Sequence, residues 1–347
     1  MRISLRLATA LSGAFLLAVP LAAHAQEITG AGATFPAPIY TKWGEAAKSA
    51  IGIALNYQAI GSGGGQNQIF NRTVDFGASD APVSADKLAS NHVLQFPSVM
   101  GAVVPIVNLP GVATNQLKLT GELLAEIYLG TIKKWNDPKL VEANNGLKLP
   151  NLAIAPAYRA DGSGTTFVFT SYLSAVSPAW KSQVGANTSV KWVEGRGAKG
   201  NDGVAASVRQ VKGAIGYVEF AYAQQNKLTT VQLRNKAGHY VSPDMDSFAA
   251  AAANADWAGA KNFAVSLIDQ QGEQAWPIVS ATFILLPEDP KDAARAGNVM
   301  KFFDWAYANG GEMATALHYV ALPKAVQDSV RSAWAAVKGP DGKPIRQ

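Results

Sequence analysis

Three times the chain runs from an apolar stretch into glycines and small hydroxyl residues, and then into a helix-forming segment. Residues 28–29 read as a short strand. Gly30-Ala31-Gly32-Ala33-Thr34-Phe35-Pro36 follows, too glycine-rich to continue it. Pro38 then opens a helix over about 39–49, with Gly52 beyond its end. Residues 53–58 alternate apolar and polar as a strand does, and Gly61-Ser62-Gly63-Gly64-Gly65 follows them. A short helix after that loop carries Ile69 and Phe70. The third passage is a strand over 152–158, then Arg159-Ala160-Asp161-Gly162-Ser163-Gly164-Thr165. Its helix has Val168, Tyr172 and Val176 at four-residue spacing. This order builds an α/β fold whose loops gather at one sheet edge.

The rest of the pattern points to two lobes. Residues 93–107 are strongly apolar and read as a buried strand, the first crossing between lobes; residues 278–287 are a matching return. Helices are expected over 120–129, 201–211, 246–253 and 257–267, and a strand over 213–219. Near the C-terminus, Val299, Phe302, Phe303 and Ala306 form one helical face; Val326, Val330, Trp334 and Val337 form another. No flexible tether separates the halves, so the chain crosses between them through strands. The expected division is 26–108 with 281–347 as lobe I and 109–280 as lobe II.

Residues 1–25 read as a secretory signal. Arg2 and Arg6 give the basic end, 7–22 the apolar stretch, and Ala23-His24-Ala25 a cleavage site. The 30 basic and 25 acidic residues of the chain give +5; without the two leader arginines the balance is +3. That near-neutral value argues against a nucleic-acid partner. The chain has no cysteine, which removes disulfides, thiolate metal sites, cysteine nucleophiles and a lipid anchor on a terminal cysteine. An exported, soluble, cysteine-free chain fits the bacterial periplasm.

Chemistry concentrates at the glycine-bearing turns. Asp161 and Ser163 can cap the third helix. Gly162 and Gly164 let backbone approach a bound object. Arg159 offers a forked donor pair suited to a tetrahedral oxyanion. With the free N–H groups at the helix start, these residues can form an anion site. A well-capped helix with a surface arginine is the plainer alternative. Thr34 and Phe35, and Ser62 among its glycines, repeat the anion logic; a core turn and a flexible loop are their plainer readings. Asp80 would seem misplaced beside an anion unless that anion still carries a proton. Hydrogen phosphate offers a P–OH, and sulfate at neutral pH does not. The competing reading is that Asp80 caps a turn before Ala81-Pro82.

Enzyme signatures are thin. His92, His239 and His318 have no paired metal spacing, and there is no Gly-x-Ser-x-Gly elbow, dinucleotide fingerprint or nucleotide P-loop. No cofactor and no metal is expected.

As an ordered set, the Gly30–Pro38 segment, Gly61-Ser62-Gly63-Gly64, Asp75-Phe76-Gly77-Ala78-Ser79-Asp80 and Arg159–Thr165 are specific. Gly200-Asn201-Asp202-Gly203, Gly213–Glu219 and Phe302-Phe303-Asp304-Trp305-Ala306 extend the set over essentially the whole mature chain. The chain resembles the periplasmic phosphate-binding proteins of bacterial high-affinity phosphate ABC importers. The resemblance implies a periplasmic-binding-protein-like α/β fold, each lobe a mixed sheet flanked by helices, joined by two crossing strands as a hinge. It implies that Thr34, Phe35, Ser62 and Asp80 from one lobe, and Arg159, Ser163, Gly164 and Thr165 from the other, hold phosphate. Asp161 would pair with Arg159 and temper its charge. The implied partners are inorganic phosphate and inner-membrane permease subunits, with the chain itself a monomer. The alternatives are an exported phosphate-scavenging or adhesive protein without a transporter, and a secreted phosphatase.

Overall fold

The computed structural model describes residues 26–345; the expected signal, residues 1–25, lies outside the described residues. Strands β1 (Gln26–Gly32), β2 (Ile53–Ala59), β3 (Phe76–Ser79) and β4 (Val93–Val107) come first. Then come β5 (Lys118–Leu119), β6 (Ala155–Arg159), β7 (Arg196–Ala198) and β8 (Ala214–Glu219). β9 (Thr229–Thr230), β10 (Gln232–Arg234) and β11 (Tyr240–Val241) are short, and β12 (Val279–Pro287) returns late in the chain. Nine of them form one mixed sheet in the order β2-β1-β3-β12-β4-β8-β6-β7, with β9 also against β4. β5, β10 and β11 make a small separate sheet.

The 15-residue β4 is the spine of the sheet. Its first part, Val93 to Ala102, pairs antiparallel with β12; from Val103 to Val107 it pairs instead with β8. The two halves of the sheet therefore share one continuous strand. At the change of partner, the Val103 N–H donates to the Ile278 carbonyl at 2.9 Å, and Trp276 Nε1 donates to the Val103 carbonyl at 3.0 Å. Each half has its own aromatic cluster within one continuous apolar core. Phe303, from the long helix Ala293–Asn309, meets Tyr40, Phe76 and Phe96 edge-on. On the other side, Phe169 and Trp192 stack on Tyr217, and Tyr128 packs edge-on against Phe169.

Three local readings change. Gly30 to Gly32 continues β1, in register with Tyr57 to Ala59 and Phe76 to Ala78. Glycine is needed there for closeness: an added Cβ at Gly30 would enter the Phe76 ring, and one at Gly32 (φ +146°) would overlap the Ala78 carbonyl. The glycine cluster Gly61–Gly65 is largely helical, because the second helix spans Ser62–Phe70. Gly65 sits where an added Cβ would lie 2.6 Å from the Ala31 carbonyl oxygen, so this helix rests directly on strand backbone. Finally, residues 257–267 hold only a 3₁₀ turn, Lys261–Phe263, in place of a helix. Asp256 takes the Gly259 N–H at 3.1 Å, and the Asn262 carbonyl takes Gln95 Nε2 at 2.8 Å, so local and tertiary partners displace the helical ladder.

Candidate functional site

Four helices begin at one place. They are Ala37–Ile51, preceded by Thr34 and Phe35; Ser62–Phe70; Gly164–Val176; and Gly200–Gln210. The positive ends of the helix dipoles, and first-turn N–H groups that have no partner within their own helical ladder, thus face a common point between the halves of the sheet. Each helix follows a strand of the large sheet, which is why the glycine-bearing turns converge at one edge.

The residues singled out from the sequence are nearly all sealed from solvent: Thr34, Ser62, Asp80, Arg159, Ser163 and Thr165 are at most 5% exposed. Arg159 ends β6. Its Nε and Nη2 donate to the two carboxylate oxygens of Asp161 at 2.8 and 2.5 Å, and Nη1 donates to Thr165 Oγ1 at 3.2 Å. Asp161 also accepts the Gly200 N–H at 3.0 Å. Burial pushes the Asp161 carboxyl up, but the Arg159 hydrogen bonds and charge outweigh it and hold the pKa below the usual range. Ser163 caps its helix by accepting the Thr166 N–H at 3.0 Å. Gly164 faces across the gap: an added Cβ would collide with Ser62 Oγ and stand 2.5 Å from Asp80 Oδ2. Ser62 Oγ accepts the Asp80 N–H at 3.2 Å. Phe35 turns its ring into the core, edge-on to Tyr319, so only its backbone belongs to the gap.

Asp80 departs from the usual carboxylate. Oδ1 accepts from Thr282 Oγ1 at 2.7 Å, whereas Oδ2 is buried and has no partner. Burial pushes its pKa up to about 7, against the lowering effect of Thr282, the Arg159 charge and Ser62.

Direct contacts close the gap from both sides. The Gly63 N–H donates to the Gly162 carbonyl at 2.9 Å. Asn201 Nδ2 donates to Thr34 Oγ1 at 2.7 Å, and Tyr222 OH donates to the Thr34 carbonyl at 2.6 Å. Tyr319 OH stands 2.6 Å from the Phe35 carbonyl and 3.0 Å from Glu219 Oε2. The sequence motifs contain Asn201 and Glu219 without indicating a role for them, and no motif marks Thr282, Tyr222 or Tyr319 as part of a site. Asn201 was within reach of the helix-start logic used for Ser163, since Gly200-Asn201-Asp202-Gly203 also opens a helix. The others act through contacts between distant segments and leave no local signal.

The model of the PBP superfamily domain matches residues 18–309. The phosphate-binding protein PstS of Pasteurella multocida is 51% identical over 328 residues, 94% of this chain and 95% of that protein. The protein of the same name from Haemophilus influenzae is 52% identical over 312 residues, 90% of this chain and 93% of its own length. Among solved structures, the phosphate-binding protein from Stenotrophomonas maltophilia superimposes with a TM-score of 0.70 at 22% identity, covering 88% of this chain and 93% of that one, which is likeness of fold. The chain belongs to the PBP superfamily and, within it, to the family of the PstS phosphate-binding proteins.

Proposed function

We propose that the chain binds inorganic phosphate, as HPO4 2− or H2PO4 −, between two lobes and delivers it to an ABC permease in the inner membrane. One observation carries the ligand assignment. Asp80 Oδ2 is a buried acceptor without a partner, set among donors. The hydroxyls of Ser62 and Ser163 already accept from fixed N–H groups, so their hydrogens are free to point outward. An oxyanion that keeps one proton meets both needs: its bare oxygens take the donors, and its P–OH donates to Asp80. Sulfate would set an acceptor against an acceptor among residues sealed from solvent, which costs much more than it does in solution. The names of the close relatives support the same ligand.

The ligand set is Thr34, the Phe35 N–H, Ser62 and Asp80 from one lobe, and Arg159, Ser163, Gly164 and Thr165 from the other. Asp161 fixes the Arg159 fork and offsets its charge. The change of pairing along β4 supports a crossing at Ala102/Val103, six residues ahead of the 108/109 boundary, with the return at Ile278/Val279. Only when the lobes meet is the donor set complete, so a ligand that touches both favours the closed state. No bond in phosphate is broken, and residues 1–25 direct the chain to the periplasm. Among the described residues no helix is long and apolar enough to cross a membrane.

Calorimetry on ligand-stripped protein tests the ligand: phosphate binds tightly and sulfate weakly, and equal affinities would overturn the assignment. Reconstitution with the partner permease in proteoliposomes tests delivery. Phosphate uptake that does not depend on this chain would refute it.

A further inference from the structure

Hydroxyl groups are ambiguous: each can donate or accept, and an oxyanion needs them all to donate. At Thr34 and Thr165 the side chain of Asn201 removes that ambiguity. Asn201 is fully buried at the start of the helix Gly200–Gln210. Its Oδ1 accepts the Glu219 N–H at 3.0 Å. A reversed amide would put its NH2 against that N–H, so the orientation is settled by the network. Nδ2 must then point the other way, and its two hydrogens reach Thr34 Oγ1 at 2.7 Å and Thr165 Oγ1 at 3.3 Å. Each threonine oxygen has a second donor-only neighbour: the Asn201 N–H on Thr34 at 3.4 Å, and Arg159 Nη1 on Thr165 at 3.2 Å. With both lone pairs so engaged, each hydroxyl hydrogen has only the gap to point into.

We infer that Asn201 is a positioning residue that sets the hydrogen-bond polarity of the site, holding the Thr34 and Thr165 hydroxyls, one from each half of the sheet, as donors toward the oxyanion. It acts without itself needing to touch the ligand. The inference rests on the phosphate reading and adds to it a cause for the one-sided donor character of the site. It also links polarity to closure, because Asn201 and Thr34 are 167 residues apart and meet only across the gap.

A double-mutant cycle tests this by phosphate calorimetry. Asn201→Ala alone should weaken phosphate binding ~10- to 100-fold, the range for hydrogen bonds to a charged group. If Asn201 acts through the hydroxyls, the loss in a Thr34→Val background should be at least ~5-fold smaller, since contacting residues couple. A merely structural asparagine predicts the same fold-loss in both backgrounds, and that additivity overturns the inference. If Asn201→Ala fails to fold, Asn201→Ser, which keeps a partner for the Glu219 N–H, carries the same cycle. An unaltered chain with no phosphate affinity would overturn the phosphate reading, and this inference with it; additivity on a tightly binding chain overturns the inference alone.

Discussion

Asp80→Asn separates the two jobs of the buried carboxylate. In the closed arrangement one oxygen has Thr282 and the other has nothing, and burial raises the pKa from 3.8 to about 7. An open cleft would return the group toward its ordinary value. A carboxyl whose pKa is raised in the closed state binds more protons there. It therefore favours closure fully below about pH 4, and that advantage is lost as pH rises through about 7. The whole difference is worth ~4 kcal/mol at 1.36 kcal/mol per pKa unit, of which ~3 kcal/mol falls between about pH 5 and 8. Ligand-free protein should thus be more compact by small-angle scattering at about pH 5 than at about pH 8. The asparagine variant should show a much weaker dependence, because only Glu219 then remains as a buried carboxyl at the gap. A P–OH relieves the ionised carboxylate, so phosphate closes the unaltered protein at either pH. The amide loses that acceptor: phosphate should weaken ~10- to 100-fold in calorimetry while sulfate improves. Sulfate bound no better by Asp80→Asn, or equal pH dependence of compactness in both proteins, would refute the reasoning.

Two further outcomes follow from the same geometry. Gly164→Ala places a methyl against Ser62 and Asp80 across the gap, yet alanine suits the first turn of a helix. Ligand-free stability should hold or rise by up to ~1 kcal/mol, while the phosphate-induced rise in melting temperature disappears; a normal ligand-induced rise would show that the gap is wider than the contacts indicate. Glu219 is fully buried, with Oε1 unpartnered, and burial pushes its carboxyl well above the ordinary range despite the Tyr319 and Ala221 hydrogen bonds. Its stabilising contribution is complete below the ordinary carboxylate pKa and is lost as pH rises through the raised value. Glu219→Gln should flatten the decline of the urea midpoint as pH rises above the ordinary carboxylate range; parallel declines in the two proteins would refute a protonated Glu219.

Much of the architecture was legible because its causes are local. Alternation marked 53–58 and the apolar run marked 93–107, which is the observed range of β4. Helix-start chemistry around Thr34, Ser62 and Ser163 needs only neighbouring residues, so these positions stand out in the sequence, and the structure brings them together. Local reading failed where distant backbone decides. Gly30 to Gly32 belong to a strand because Phe76 and Ala78 lie against them. Residues 257–267 lose their helix to side-chain partners such as Gln95.

The chain alone thus determined an α/β fold, the strands that cross it and three glycine-bearing helix starts with hydroxyls and an arginine. It also showed that any anion capture would rest on local donors, because residues 26–347 are nearly neutral. Tertiary structure decided which of those groups donate and which accept. Polarity at Thr34 depends on Asn201, and Asn201 takes its orientation from Glu219. The bare oxygen of Asp80 exists because Thr282 occupies only the other one. A hydrogen bond has a direction, and where the partners lie on distant strands that direction is fixed only after the chain has folded.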